Sequence, residues 1–460
     1  MDALWHRSAT DLALALRTGD VSAREVVDAH LARIAETNPA INAIVTLEAD
    51  RAIAQAHAAD EALARGDIVG PLHGLPIAHK DLVDTAGVRT TYGSPIYADH
   101  VPERDEPFVI RVRTAGAIML GKTNTPEFGA GSHTFNPVFG PTRNPWDLSK
   151  SAGGSSGGAA AALAAGMVPI ADGSDLGGSL RNPASFCNVV GFRPSLGVVP
   201  SWPEADPEDL SVDGPMARTV RDAALLLSVM AGRPDLAVVP AQAADLAGLR
   251  IAWAPACAGT MPVDPEVVAC VDAALPSFER LGCRVEPAYP DLTGAREAFS
   301  TLRAASFAAD YGPLLEEHRD RIKDTVIWNT ELGLALTSDD VARARALVAS
   351  IRARASTFFD GFDYLVQPVS QVPPFPIELE YPTEVAGVAM STYLDWMQSC
   401  WSITVLGGPA ISVPCGATAA GLPVGLQIVG RRGDDAGVLR LADAFERVAP
   451  PASVAPLAIG

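Results

Sequence analysis

Val26, Val27, His30, Leu31 and Ile34 recur at helical spacing directly after Ser22-Ala23-Arg24-Glu25, which reads as a capping box. Asn38-Pro39 is expected to end that helix. Ala49 to Arg65 repeats the amphipathic pattern and closes on Gly66, so residues 1–66 read as N-terminal helices. Beyond them the period changes. Ile118-Met119-Leu120, Ile251-Ala252-Trp253 and Tyr364-Leu365-Val366 are short β-prone runs, and Leu75-Pro76-Ile77-Ala78 reads as a buried strand. They alternate with helical segments such as Thr219 to Gly232 and Pro265 to Leu281, while Ala237 to Gly248 reads as a loop before a strand at Leu249. This alternation predicts an α/β chain with a central mixed, twisted sheet covered by helices on both faces. No internal repeat or linker-like stretch divides it, so one large domain over residues 1–460 is expected.

The net charge of −19, from 35 basic and 54 acidic residues, argues against phosphate backbones and anionic lipid as partners. The most apolar stretch, Gly157 to Ala171, is too short to span a bilayer and stops at Asp172. Six cysteines (Cys187, Cys257, Cys270, Cys283, Cys400 and Cys415) are scattered, with no C-x-x-C pair and no zinc-ligand spacing. They fit a reducing compartment. The start, Met1 to Arg7, lacks a basic segment leading into an apolar one, so the expected location is cytoplasmic.

Three places carry chemistry. Ser151-Ala152-Gly153-Gly154-Ser155-Ser156-Gly157-Gly158 runs into an alanine-rich helix, which argues against a flexible Gly/Ser linker; no Gly-Lys-Ser/Thr follows to make a phosphate loop. Gly153 to Gly157 also matches G-x-S-x-G, but that mechanism needs a late histidine. The only histidine after Ser155 is His318, in the charged run Glu316 to Asp320. A serine here needs another base. Lys80 follows the Leu75–Ala78 strand and can serve if burial makes it neutral, though a surface charge is the commoner role of a lysine. In Ser174-Asp175-Leu176-Gly177-Gly178-Ser179, side-chain-free residues let backbone N–H groups converge on one point, as an oxyanion requires; an ordinary tight turn is the alternative.

With these residues the chain resembles the amidase signature hydrolases. The matching stretches are Gly74-Leu75-Pro76 through Lys80-Asp81, Gly121 to Asn124, Gly140 to Trp146, Gly153 to Gly158, Asp175 to Ser179 and Gly191 to Pro194. Pro409 to Pro414 and Gly421 to Gln427 continue the match, and the intervals 155 − 80 = 75 and 179 − 155 = 24 agree with the family's. The resemblance implies a Ser-cisSer-Lys triad, with Ser179 as nucleophile, Ser155 as relay and Lys80 as neutral base. It implies an oxyanion hole from the N–H groups of Leu176, Gly177, Gly178 and Ser179, and a substrate pocket lined by Gly129 and Ser155. Ser156, Asp175 and Arg181 would hold this network in place. Residues 67–235 would then be the catalytic core, and Thr301 to Ala355, mostly helical with scattered charges, reads as a lid-like insertion within 298–358. The mechanism needs no metal or organic cofactor.

The implied activity is hydrolysis of amide C–N bonds, extending to aryl amides, carbamates or esters. The alternative is the glutaminase subunit of a tRNA-dependent amidotransferase, but its substrate-carboxylate arginine has no counterpart placed here, and Tyr393-Leu394-Asp395-Trp396 is more similar to stand-alone members. The expected partner is a small-molecule amide or carbamate, with no nucleic acid and no membrane; a homodimer is left open. Phe128, Trp328, Tyr393, Trp396 and Trp401 are the aromatic candidates for lining the pocket, and a mechanism through Cys187 is the minor competitor.

Overall fold

The β-prone runs assemble into one sheet. The computed structural model describes residues 3–202, 209–237 and 243–449. Among them, eleven strands lie in the order Ile44–Leu47, Ile118–Thr123, Pro76–Lys80, Ile170–Asp175, Val212–Ala217, Val190–Arg193, Ala410–Ala417, Pro423–Gly430, Tyr364–Pro368, Arg250–Trp253 and Arg284–Pro287. Pro76–Lys80 runs parallel to both of its neighbours, whereas Ile170–Asp175 and Val212–Ala217 are antiparallel, so the sheet is mixed as expected. Every residue of Pro76–Lys80, Ile118–Thr123 and Pro423–Gly430 is buried. Successive strand side chains point to opposite faces, so such strands must be covered on both.

The capping box forms: Ser22 Oγ accepts from Glu25 N–H, and Glu25 reaches back to Ser22 N–H. The expected stop at Asn38-Pro39 does not occur. The helix Ala23–Ile41 runs through Pro39 and ends at Asn42, in the left-handed region at φ 60°. Pro39 lies in the last turn, so the bond its missing N–H removes is lost only at the end of the helix. Asn38 also ties that turn to the next segment, its Oδ1 accepting from Ala43 and Ile44 N–H at 2.8 and 2.9 Å. Nor is this region purely helical. Ile44–Leu47, with three β-branched residues, forms an edge strand antiparallel to Ile118–Thr123.

Two other segments differ. Pro265 to Leu281 is two helices, Pro265–Ala273 and Leu275–Arg280, because Pro276 has no N–H to continue the first. Within Ala237 to Gly248, Ala243–Leu246 forms a helical turn, while residues 238–242 lie outside the described residues. The segment 298–358 is built mainly of three helices, Ala295–His318, Asp324–Leu334 and Ser338–Gly361, with a short 3-10 turn at Arg319–Arg321. Phe307, Leu315, Ile322 and Val326 from this region cluster with Phe128 and Ala130, which flank Gly129. Among the described residues, no helix is long and apolar enough to cross a membrane.

Candidate active site

Lys80 is the last residue of a strand buried at every position. Its N–H donates to Asp172 Oδ1 at 3.0 Å, and the other Asp172 oxygen bonds to His79. The amine is wholly buried and bonds to two hydroxyls, Ser155 Oγ at 2.7 Å and Ser174 Oγ at 3.0 Å. Loss of hydration pushes it down to about 7, against the pull of Asp213, Asp175 and Asp172. A sizeable share is therefore neutral near pH 7, as a base requires. A second lysine, Lys122, is equally buried and pushed down to about 8 by the same desolvation. Its amine, however, bonds to the Val83 carbonyl and the Thr85 hydroxyl. Geometry, not burial, separates the two.

Ser155 lies in the turn that leads into the buried helix Gly157–Ala164, and the Gly154–Ser155 peptide is cis. The 132–134 segment holds this turn. Ser132 Oγ donates to the Gly154 carbonyl at 2.6 Å, and Thr134 Oγ1 accepts from Gly157 N–H at 3.1 Å. Gly129 stands directly against Ser155: a Cβ added there would lie 3.5 Å from Ser155 Oγ and 3.0 Å from Leu82 Cδ1. Its φ of +68° also favours glycine.

The second turn is joined to the first where Ser156 N–H donates to the Ser179 carbonyl at 3.2 Å. Ser156 Oγ is buried without a partner among the described residues. Ser179 is half-buried, more open than Ser155. The turn is built around Asp175. Its carboxylate receives Arg181 bidentately at 2.7 and 2.9 Å, plus the N–H groups of Gly178 and Leu180 at 2.9 and 3.1 Å. Burial opposes that charge, but Arg181 and Arg193 outweigh it and hold the carboxyl well below the usual carboxylate range. Arg181 also donates to the Cys400 carbonyl, Gln427 Oε1 and Thr404 Oγ1 at 3.0, 2.6 and 3.0 Å, tying the turn to the C-terminal third. One expectation changes here. Gly178 N–H is engaged by Asp175, which removes it from the four donors expected to face an oxyanion, whereas no acceptor among the described residues takes the N–H groups of Leu176, Gly177 and Ser179.

One wall beside this turn is aromatic. A Cβ on Gly177 would meet Phe299 at 3.3 Å and Met397 and Trp401 at 3.8 Å. Phe299 and Trp401 stack with centroids 5.2 Å apart. Phe128, beside Gly129, stacks on Tyr311 at 4.6 Å. The other aromatic candidates sit elsewhere. Trp396, Phe299 and Trp401 are all 1% exposed, but Trp396 packs against Phe186 and Phe375 and is not among the atoms nearest Gly177. Trp328 is 36% exposed and meets Tyr393 edge-on, and the Tyr393 hydroxyl accepts from Arg303 at 2.8 Å.

The Amidase family model matches residues 25–439. The chain belongs to the amidase signature family. It is 40% identical to an acylamidase of Rhodococcus erythropolis over 464 residues, covering 98% of this chain and 97% of that one. It is 35% identical to one of the subunits of the glutamyl-tRNA(Gln) amidotransferase of Synechococcus sp. (strain CC9605), covering 94% of each. The structure of a bacterial aryl acylamidase of the family matches with a TM-score of 0.88 at 29% identity, covering 96% of each chain. This amidase is an amide-hydrolysing enzyme with the single α/β mixed-sheet fold expected of the family.

Two residues of this amidase's site carry no signal of their own in the sequence. Ser174 merely opens the second cluster there, yet it is a partner of Lys80; residues 174 and 175 alternate across a strand, one facing Lys80 and the other Arg181. Phe299 lies in a helix with ordinary amphipathic spacing. Cys187 offers no competing nucleophile: it is fully buried, its Sγ–H donates to the Ala152 carbonyl, and burial pushes its thiol far up.

Proposed function

We propose that this amidase cleaves linear amides through an acyl-enzyme, with Ser179 as nucleophile, Ser155 as relay and Lys80 as base. The 2.7 Å bond between the buried Lys80 amine and Ser155 Oγ carries this reading, supported by the Ser156–Ser179 backbone bond that joins the two serine turns. Ser179 Oγ attacks the carbonyl carbon while its proton passes to Ser155, whose own proton goes to neutral Lys80. The C–N bond then breaks as the relay returns a proton to the leaving nitrogen, which would otherwise depart as a poor amide anion. Water adds to the acyl carbon by the same relay, and Ser179 leaves reprotonated. Leu176, Gly177 and Ser179 N–H groups meet the oxyanion, while Gly178 N–H stiffens the turn through Asp175.

The substrate presents an apolar acyl or aryl group to the Gly177, Phe299 and Trp401 wall, a reading that the acylamidase and aryl acylamidase relatives support. The 298–358 helices act as a lid beside Gly129, with Phe307 and Val326 packed against Phe128. Carbamates and esters are the side substrates to test. The amidotransferase relative supports a second reading, a glutaminase that feeds a partner chain. A cytoplasmic setting belongs to the same proposal, supported by six cysteines that are all free thiols. The deciding experiment assays amine or ammonia release by the chain alone from glutamine, primary amides, aryl anilides and aryl carbamates, with Ser179→Ala as control. Anilide turnover lost in the control is the expected result. Activity on glutamine alone supports the amidotransferase reading instead.

A further inference from the structure

The strand register places a carboxyl group beside the base. Ser174 on Ile170–Asp175 pairs directly with Asp213 on the antiparallel strand Val212–Ala217. Directly opposed residues of such a pair send their side chains from the same face, with Cβ atoms about 4.5–5.5 Å apart. Ser174 turns its hydroxyl to Lys80 Nζ at 3.0 Å, so the Asp213 carboxyl leaves the sheet on the side of that amine. Both residues are half-buried, at the more open side of the wholly buried lysine.

The other carboxyls near Lys80 have partners of their own. Asp175 is bound by Arg181 and Arg193, and Asp172 bonds to His79 and to the Lys80 N–H. The charges that act most strongly on Asp213 are those of Glu106, Asp172, Lys80 and Asp209, and Lys80 is the cation among them. We propose that Asp213 is a positioning residue for the base, its carboxylate holding the ammonium form of Lys80 that proton transfer from Ser155 creates. This rests on the reading of Lys80 as the base.

The need is physical. A buried ammonium has lost its hydration, and among the described residues two serine hydroxyls are the hydrogen-bond partners of its side chain. A nearby carboxylate stabilises it without a direct bond. Burial pushes the amine down to about 7 and the carboxyl up to about 7, so near neutrality the two groups share one proton and titrate as a pair. In the form with both groups deprotonated, neutral Lys80 accepts the proton of Ser155, and the Asp213 carboxylate is the counter-charge of the ammonium that results.

The test compares wild type with Asp213→Asn, Asp213→Glu, Asp213→Leu and Lys80→Met across pH. Two probes are read: kcat/KM for 4-nitroacetanilide and the rate of inactivation by phenylmethanesulfonyl fluoride. In Asp213→Asn the acid limb moves to lower pH, because no carboxylate holds the proton on Lys80. The plateau falls about tenfold, since a weaker base with an unpaired ammonium transfers protons less well. Asp213→Glu brings the limb back toward the wild-type position. If Asp213→Asn does not fold, Asp213→Leu, which suits a strand, gives the same reading. An unmoved acid limb overturns the proposal even if the plateau falls, because a merely structural role lowers the plateau alone. Activity retained in Lys80→Met overturns the triad reading beneath it. An inactive Lys80→Met together with an unmoved limb in Asp213→Asn overturns the role of Asp213 only.

Discussion

Replacing Lys80 with methionine should change stability in a pH-dependent way while abolishing turnover. The side chain is wholly buried, and desolvation takes its amine from an ordinary value of 10.5 to about 7. A difference of about 3.5 in pKa, at about 1.4 kcal/mol for each tenfold change in proton affinity, is roughly 5 kcal/mol. The sign is destabilising, since the unfolded chain keeps the proton that the folded chain gives up. Below about pH 7 both states are protonated and the cost is complete. Between about 7 and 10.5 the unfolded state holds more protons, so wild-type stability gains with rising pH; above 10.5 the cost is gone. Lys80→Met lacks this contribution, although it strands the Ser155 and Ser174 hydroxyls at about 1–3 kcal/mol each. The stability of the variant minus that of wild type should therefore be greatest near neutral pH and shrink by several kcal/mol toward about pH 10. Urea denaturation followed by far-UV circular dichroism at a series of pH values reads that difference. A difference independent of pH would refute the argument that burial tunes this amine.

Three further outcomes follow from the same geometry. Lys122→Met should keep kcat/KM within roughly threefold of wild type, whereas Lys80→Met should lose about a thousandfold, since only the latter amine touches Ser155. Gly129→Ala places a Cβ 3.0 Å from Leu82 Cδ1 at φ +68°; left-handed strain of about 1–2 kcal/mol should lower the melting temperature, and kcat/KM should fall about tenfold. Arg181→Lys cannot keep the bidentate bond to Asp175 together with those to Cys400, Gln427 and Thr404, so urea denaturation should show a loss of about 3 kcal/mol.

What the sequence revealed was whatever is written locally. The Ser22 capping box, the Thr219 to Gly232 helix and the Leu75–Ala78 run before Lys80 are short-range patterns, and each appears in the structure. The family resemblance marked Lys80, Ser155, Asp175 and Arg181, which the fold brings together. What stayed hidden depends on pairing between distant segments. Nothing near Asp213 marks it as a neighbour of Lys80; antiparallel register with Ser174 puts it there. The same applies to Phe299, brought to Gly177 by the packing of a helix more than a hundred residues downstream. Pro39 misled because a proline's cost depends on where in the helix it falls, and its place in the last turn was visible only once Asn38 was seen bonding to Ala43 and Ile44. The engagement of Gly178 N–H was equally hidden, since a glycine-rich turn shows how many donors it holds but not which carboxylate they meet.

The central claim is that Ser179 carries the acyl group and Lys80 drives its transfer through Ser155. Rapid acid quenching of the enzyme during turnover of an aryl anilide, followed by intact-mass analysis and peptide mapping, tests it directly. The account predicts an added acyl mass on the peptide containing Ser179, absent in Ser179→Ala and strongly diminished in Lys80→Met. An acyl group mapped to Ser155 or Cys187, or full turnover by Ser179→Ala, would contradict it.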